Sequence, residues 1–283
     1  MNSSDRVPEQ TSGEVFPEDA VWKGIRAEAW SEGEREADLR PLIQQQILAA
    51  ESLEEALSGI LAVKLRTEYV THERFQALFL EAVREHPEFR RRIRADLQAV
   101  RDRDPAAGGY LTPLLFFKGF QGLQAYRLAH SLWLREQRLL AVYFQNRISE
   151  VFGMDIHPAA CIGAGVLIDH ATGVVIGETA VVEDNVSILH EVTLGGTGKE
   201  TGDRHPKVRQ GVLIGAGAKI LGNVEIGEGA RVGAGSVVLD PVPRYSTVAG
   251  VPSRVVSRYG NKMAAMEMDQ QFPHHLHSDG GGI

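Results

Sequence analysis

The sequence predicts an α+β protein: an N-terminal all-α domain followed by a parallel β-helix of hexapeptide repeats, with a flexible C-terminal tail. Three patterns carry that prediction. Apolar stripes of helical period run to about Phe152, apolar residues then recur at every sixth position from Ile156, and a polar stretch closes the chain. They divide the 283 residues into a leader at 1–16, a helical domain at 17–153, a β-helix at 154–260 and a tail at 261–283.

The helical stripes come with stop and start signals. Ser52 and Glu55 form a capping box, followed by Leu53, Leu57, Ile60, Leu61 and Leu65 at helical spacing. Phe75, Leu78, Phe79, Ala82 and Val83 make a second stripe. Pro87 suits a first helical position, and Phe89, Ile93, Leu97 and Val100 continue from it. The run ends at Arg103-Asp104-Pro105, because the residue before proline is pushed out of the α region. Two further helices fit 113–136 and 138–152.

The repeat then takes over. Ile156, Ile162, Ile168 and Val174 are six apart; after a two-residue offset come Ile176, Val182, Ile188 and Leu194. After an insertion come Val208, Ile214, Ile220, Ile226, Val232 and Val238. Glycine follows at Gly163, Gly177, Gly195, Gly215, Gly227 and Gly233. A period of six matches neither a helix nor a long alternating strand. It matches a solenoid in which each hexapeptide is a short strand plus a turn, and about 18 residues close one triangular coil. The paired glycines at 215–217, 227–229 and 233–235 start like a dinucleotide fingerprint, but the third glycine and the crossover helix are missing. The insertion, Gly195 to Lys207, is glycine-rich, charged and off-period, so it leaves the prism as a loop.

Composition narrows the function classes. Hydrophobic residues are 43 % and charged residues 24 %, which is ordinary for a globular protein. A net charge of −7 argues against a nucleic-acid footprint. No apolar run is long enough to span a bilayer, and the polar, acid-bearing start lacks signal- and transit-peptide patterns. The single cysteine, Cys161, rules out a disulfide framework within the chain and suits a reducing cytoplasm. Cys161 reads as a small residue in a repeat slot, with a covalent acyl intermediate as the competing idea.

Four histidines fall in or near the repeat: His157, His170, His190 and His205. Histidine serves as base or as metal ligand, but their spacing does not repeat as a ligand set. His170 stands immediately before the two-residue offset, where broken stacking re-aims a side chain much as a bulge does. Asp155 lies 15 residues earlier, a little under one coil, so it is expected to reach the ring and leave the other nitrogen as a general base. A histidine that merely caps the turn is the other reading.

From about Val21 to Val256 the chain resembles the serine acetyltransferases. The match runs through Arg103-Asp104-Pro105-Ala106, Thr112-Pro113-Leu114-Leu115, Lys118-Gly119-Phe120 and Leu123-Gln124-Ala125-Tyr126-Arg127. It continues through Asp155-Ile156-His157-Pro158, Asp169-His170-Ala171-Thr172-Gly173, Gly177-Glu178-Thr179, Val192 to Lys199 and Gly202 to Lys207. The resemblance implies a left-handed β-helix, trimers through the β-helices and hexamers through the helical domains. It implies His170 as general base oriented by Asp155, with Asp104, Asp169, Arg204 and His205 holding serine. Those types suit a zwitterion: carboxylates for its ammonium, Arg and His for its carboxylate.

The implied reaction is direct acetyl transfer from acetyl-CoA to L-serine, the first step of cysteine biosynthesis, with no metal. Backbone N–H groups near Gly195 and Gly196 are candidate oxyanion donors. Gly196, Ala216, Gly217 and Lys219 are placed along the acetyl-CoA groove, with Arg231, Arg254 and Lys262 as phosphate partners. L-cysteine is implied as a feedback inhibitor that shares serine's contacts. Ile283, an apolar residue with a free carboxylate on a glycine stem, is implied to dock into O-acetylserine sulfhydrylase. The competing functions are acetyl transfer to a sugar or homoserine, and a metal-dependent β-helix hydratase.

Overall fold

Residues 19–198 and 201–269 are described in the computed structural model. The helical part contains α1 (Ala20–Arg35), α2 (Arg40–Ile43) running into a π-turn at Gln44–Leu48, α3 (Leu53–Leu65), α4 (His72–Glu85) and α5 (Pro87–Arg103). It continues with α6 (Leu111–Phe116), α7 (Lys118–Leu134) and α8 (Arg138–Phe152). The expected caps are made. Ser52 Oγ accepts from Glu55 N–H at 3.2 Å, and the Glu55 carboxylate reaches back to the N–H of Glu51 at 2.7 Å, one residue before the cap. Pro87 opens α5, and Asp104 leaves it in an extended conformation.

The helix expected over 113–136 is two helices. Phe117 takes ψ 105° between α6 and α7. The break redirects α7 so that Gly119 lies against the prism; a Cβ there would come within 1.9 Å of the Ile168 carbonyl oxygen. Only glycine tolerates that approach.

The second part is a parallel β-helix with three faces. The first stacks Met154–Ile156, Val174–Ile176, Thr193–Gly195, Lys219–Leu221 and Val237–Val238. The second stacks Cys161–Ile162, Val181–Val182, Lys207–Val208 and Glu225–Ile226. The third stacks Leu167–Ile168, Ser187–Ile188, Leu213–Ile214, Arg231–Val232 and Ser246–Gly250, and ends on the antiparallel Ser253–Arg258. Every inward position read from the repeat, Ile156 through Val238, is at most 5 % exposed. Each coil is too thin to bury its own apolar row, so stacking makes the core.

Register shows where the period breaks. Val175 stands beside Thr193, one 18-residue coil later, but Met154 stands beside Val174, a 20-residue coil that absorbs the offset at His170. Val181 stands beside Lys207, because the 195–207 loop lengthens that coil.

After the last strand the chain turns back. Helix α9 (Ala264–Glu267) lies on the third face, where Ala265 N–H donates to Gly211 O at 3.0 Å and Ala264 packs on Leu189 and Leu213. Residues 261–269 of the expected tail are therefore docked. His274, His275, His277 and Ile283, like the leader at 1–16, lie outside the described residues.

One buried ion pair joins the two parts. Asp96 of α5 is fully buried, and its Oδ2 accepts from Arg127 Nη2 (2.6 Å), Arg127 Nε (3.0 Å) and Gln124 Nε2 (3.0 Å) of α7. Its Oδ1 accepts from the N–H of Val166 at 3.0 Å, while Arg127 also donates to the carbonyls of Ile162 (3.2 Å) and Gly163 (2.7 Å). Removing one partner would strand the other charge among apolar walls. Asp96→Ala is expected to cost about 3–5 kcal/mol of stability, measured by denaturant unfolding, and a cost within the range of a surface change would contradict this role.

Candidate active site

The two-residue offset forms a corner between the third and first faces. His170 and Ala171 sit there with φ +56° and +63°, the left-handed region that costs a non-glycine residue about 1–2 kcal/mol. Tight turns hold them: Ala171 N–H donates to Asp169 O (2.6 Å) and Thr172 N–H to His170 O (2.7 Å). The Ala171 side chain is buried, so the strain is offset by packing, and the His170 side chain is turned outward.

That corner closes a cavity of about 490 Å³ against the helical domain. Asp104 at the end of α5, Lys118 at the start of α7, Asp169 and His170 line it, with Phe116 and Phe120 among its apolar walls. The Asp104 carboxylate accepts from the N–H of Ala106 at 2.8 Å, and Lys118 donates to Thr172 Oγ1. His170 Nε2 lies 3.8 Å from Asp169 Oδ1. Burial pushes the Asp169 carboxyl above the ordinary carboxylate range and Asp104 adds to the rise, while His170 opposes it. Two acids under those conditions suit a cationic ligand.

The opposite edge of the first face carries a second cluster. Arg204 Nη2 donates to Glu178 Oε2 at 2.7 Å, which holds the Glu178 carboxyl low. Thr179 fixes His205 from two sides. Its Oγ1 accepts the N–H groups of Arg204 (3.0 Å) and His205 (3.1 Å), and its own N–H donates to His205 Nδ1 at 3.1 Å. Nδ1 is thus the acceptor, and the neutral ring carries its proton on Nε2. Burial, then Arg204, lowers the His205 pKa and keeps the ring neutral. The ring lies on Gly177, where a Cβ would meet Nε2 at 2.0 Å, so Gly177 makes its slot. His157 and Asp155 belong to this cluster: the charge of Asp155 acts on His157, as do those of Glu178 and Arg204.

Asp155 does not meet His170 within one chain. It stacks beside Val175, and its Oδ1 accepts from Gln145 Nε2 at 2.7 Å. The 15-residue spacing falls well short of this coil, which has 20 residues, so Asp155 lies on the first face and not under the His170 corner.

The positions expected along the acetyl-CoA groove separate as well. Ala216 and Gly217 continue the His170 corner: Gly217 N–H donates to His190 O (2.9 Å), and the His190 and His170 rings are 5.7 Å apart. Gly196 lies beside the Arg204–His205 segment. Lys219 Nζ donates to Glu191 O, Lys262 pairs with Glu267 (2.9 Å), and Arg254 is exposed on the last strand. Arg231 is 9 % exposed, paired with Asp269 at 3.4 Å and under the Tyr259 ring. Among the described residues, no three His, Cys, Asp or Glu side chains converge as a metal-ligand set.

Comparison with known proteins gives this geometry its context. The family profile described as "Serine acetyltransferase, N-terminal" matches residues 21–125, and "Bacterial transferase hexapeptide (six repeats)" matches 205–240. The serine acetyltransferase of Salmonella typhimurium is 53 % identical over 265 residues, 93 % of this chain and 97 % of that protein. The chain belongs to the serine acetyltransferases. Two solved members agree in fold. One, a serine acetyltransferase in complex with cysteine, is 51 % identical at TM-score 0.88, covering 89 % of this chain and 98 % of the other. The other, the Brucella abortus enzyme in complex with coenzyme A, is 50 % identical at TM-score 0.84, covering 86 % and 97 %. The protein is therefore an acyltransferase that moves acetyl from acetyl-CoA to the hydroxyl of L-serine; the sugar, homoserine and hydratase readings fall away.

The sequence reading puts Asp104, Asp169, Arg204 and His205 in one site with His170 and Asp155; within one chain, Asp104, Asp169 and His170 line one cavity, while Asp155, Arg204 and His205 lie at the other edge. That reading missed Thr179 and Glu178, quoted only as a matching motif, because their partners come from a loop 25 residues on. His157 and His205 also set a pH dependence. Burial holds both below the ordinary imidazole value of 6.5, so below that pH the unfolded chain takes up protons that the folded chain refuses. Stability is then full above about pH 7 and falls as pH drops through 6.5. Thermal melts across that window are expected to show the fall, and His157→Gln to make it shallower; a wild-type melting temperature that stays flat would contradict it.

Proposed function

We propose that one working site is built from two copies of the chain: Asp104, Asp169 and His170 of one, and Asp155, Arg204 and His205 of the next. The observation that carries this is the cavity joining two carboxylates to His170, paired with a separate cation-bearing edge that no contact among the described residues brings to it. The resemblance to trimeric enzymes and the parallel prism support a ring of three, with pairing of two rings through the helical domains. A head-to-tail contact of this kind closes as a ring and puts unlike edges together.

Serine's ammonium then lies between Asp104 and Asp169. Its carboxylate is taken by the Arg204 guanidinium and the Nε2–H of His205. His170 accepts the hydroxyl proton as the serine oxygen attacks the thioester carbon, and Asp155 of the neighbouring copy steadies the imidazolium. Backbone N–H groups by Gly196 receive the oxyanion. His170 returns the proton to the departing CoA sulfur. The CoA chain follows Ala216, Gly217 and Lys219, with Arg254 and Lys262 toward its phosphates; Arg231 joins them only by releasing Asp269. Cysteine carries serine's ammonium and carboxylate and competes for the same contacts, in keeping with the cysteine complex of a relative. The compartment is the cytoplasm.

Mixing two inactive variants tests both the roles and the sharing. His170→Ala is expected to lower kcat by roughly 10²- to 10⁴-fold, and Arg204→Ala to raise the KM for serine steeply. Refolded together in equal amounts, and assayed at a serine concentration that saturates the wild type but leaves the Arg204 variant almost idle, they should regain roughly a quarter of wild-type activity, since one site in four pairs two intact halves. No recovery in demonstrably mixed oligomers would place all six residues in one chain.

The C-terminal carboxylate of Ile283 docks into the active site of O-acetylserine sulfhydrylase, as the family resemblance and terminal-carboxylate capture suggest. Deleting Ile283 is expected to abolish co-purification with that enzyme and leave acetyl transfer unchanged; retained binding would remove the idea.

A further inference from the structure

A second polar pocket lies at the other end of α5, away from the serine site. It has a volume of about 140 Å³ and is walled by His86, Phe89, Arg92, His130 and Ser131, with Ile162 of the prism as its floor. It opens into a surface groove shared by Arg92, His130 and Cys161.

The polar groups there are under-committed. Arg92 is half-buried and makes no ion pair or hydrogen bond among the described residues, and its Nε is fully buried. His86 Nε2 and Ser131 Oγ are also buried without a partner, and Ser131 is only 3 % exposed. His130 donates Nδ1–H to Pro158 O at 2.7 Å, which leaves Nε2 as its other polar atom. Burial above all lowers the His130 pKa, and Arg92, Arg127 and His86 add repulsion. The first turn of the 17-residue α5 begins at Pro87, with no side chain capping it. Leaving such groups unmatched costs free energy, and a helix N-terminus favours an anion.

The nearby acids do not supply that anion. Asp96 is committed to Arg127, Glu183 to Arg209 (2.7 Å) and Asp184 to the N–H of Ala164 (2.7 Å). Glu88 stands 3.7 Å from His86 Nδ1, on the ring's other nitrogen. Arg92 has no ion-pair partner among the described residues, while the Glu88 carboxylate, half-exposed, also lines the pocket.

We propose that this pocket binds a small tetrahedral oxyanion of phosphate or sulfate charge, held by Arg92 near the N-terminus of α5, with His86 and Ser131 as further donors. The volume of about 140 Å³ admits such an ion. Arg92 comes from α5 and Ser131 from α7, so the donors belong to two elements.

The test is calorimetric titration of the full-length oligomer with inorganic phosphate and, separately, sulfate, at constant ionic strength made up with chloride. Saturable binding of one ion per chain is expected, weakened at least about tenfold by Arg92→Gln, with acetyl transfer unchanged. Ser131→Ala guards against a folding artefact. It removes a hydroxyl that lacks a protein partner, so without the ion it should leave the melting temperature unchanged or raised, and it should still weaken phosphate binding severalfold. Heat no greater than that of a chloride control, affinity untouched by both variants, or acetate binding as tightly as phosphate would each overturn the assignment.

Discussion

Everything that positions the site depends on the Asp96–Arg127 pair. The contact is dry, with side chains 0 % and 3 % exposed, and it fixes α5 to α7 and both to the first coil of the prism. Such a pair is weak evidence of net stability, because desolvation offsets much of its attraction. Its consequence here is registry. With Asp96 bonded to the N–H of Val166 and Arg127 to the Ile162 and Gly163 carbonyls, α5 has one direction along the prism, and Asp104 at its end arrives beside Asp169 and His170. Gly119 completes the docking from α7, because its missing Cβ lets the helix touch the Ile168 carbonyl.

The His170 corner shows how a regular repeat makes an irregular, reactive point. Eighteen-residue coils would place a turn glycine or small residue at each corner in sequence. Two extra residues force the chain through consecutive left-handed conformations, and the imidazole is thrown clear of the stack. Neighbouring coils hold that shape: Glu191 N–H donates to Thr172 O at 2.7 Å, and Gly173 N–H to Gly153 O at 2.8 Å. The strain is local and its support is distributed, which is the usual bargain at functional backbone.

The repeat was legible because its period is a one-dimensional signal. Ile156 through Val238 are inward for the same reason that they are six apart. The Ser52 cap and the Pro87 start were legible because they act within a few residues. What escaped acts across the fold. Asp96 and Thr179 look like ordinary polar residues until a helix or a loop from far along the chain closes on them. The break at Phe117 has no proline or glycine of its own, and its cause is the prism surface at Ile168. Within one chain Asp155 lies beside Val175 and not under His170, because the coil through the offset has 20 residues and spacing alone does not show on which face a residue 15 positions back will fall.

The two edges of the first face differ in electrostatic character, and that difference explains why a zwitterion is the natural occupant. One edge gathers Asp104 and Asp169 around an unpaired need for positive charge, visible in the raised Asp169 carboxyl. The other presents Arg204 and a histidine locked neutral, with its donor on Nε2, so that it binds a carboxylate without adding a second full charge. In the two-copy site proposed above, an ammonium and a carboxylate on one carbon satisfy both edges at once. A sugar hydroxyl satisfies neither and would leave the partly buried Asp169 carboxylate beside Asp104 with no cation, which is the larger penalty. On that proposal, selectivity for an amino-acid alcohol follows from what an unfilled site would cost, before any contact to the reacting hydroxyl is counted.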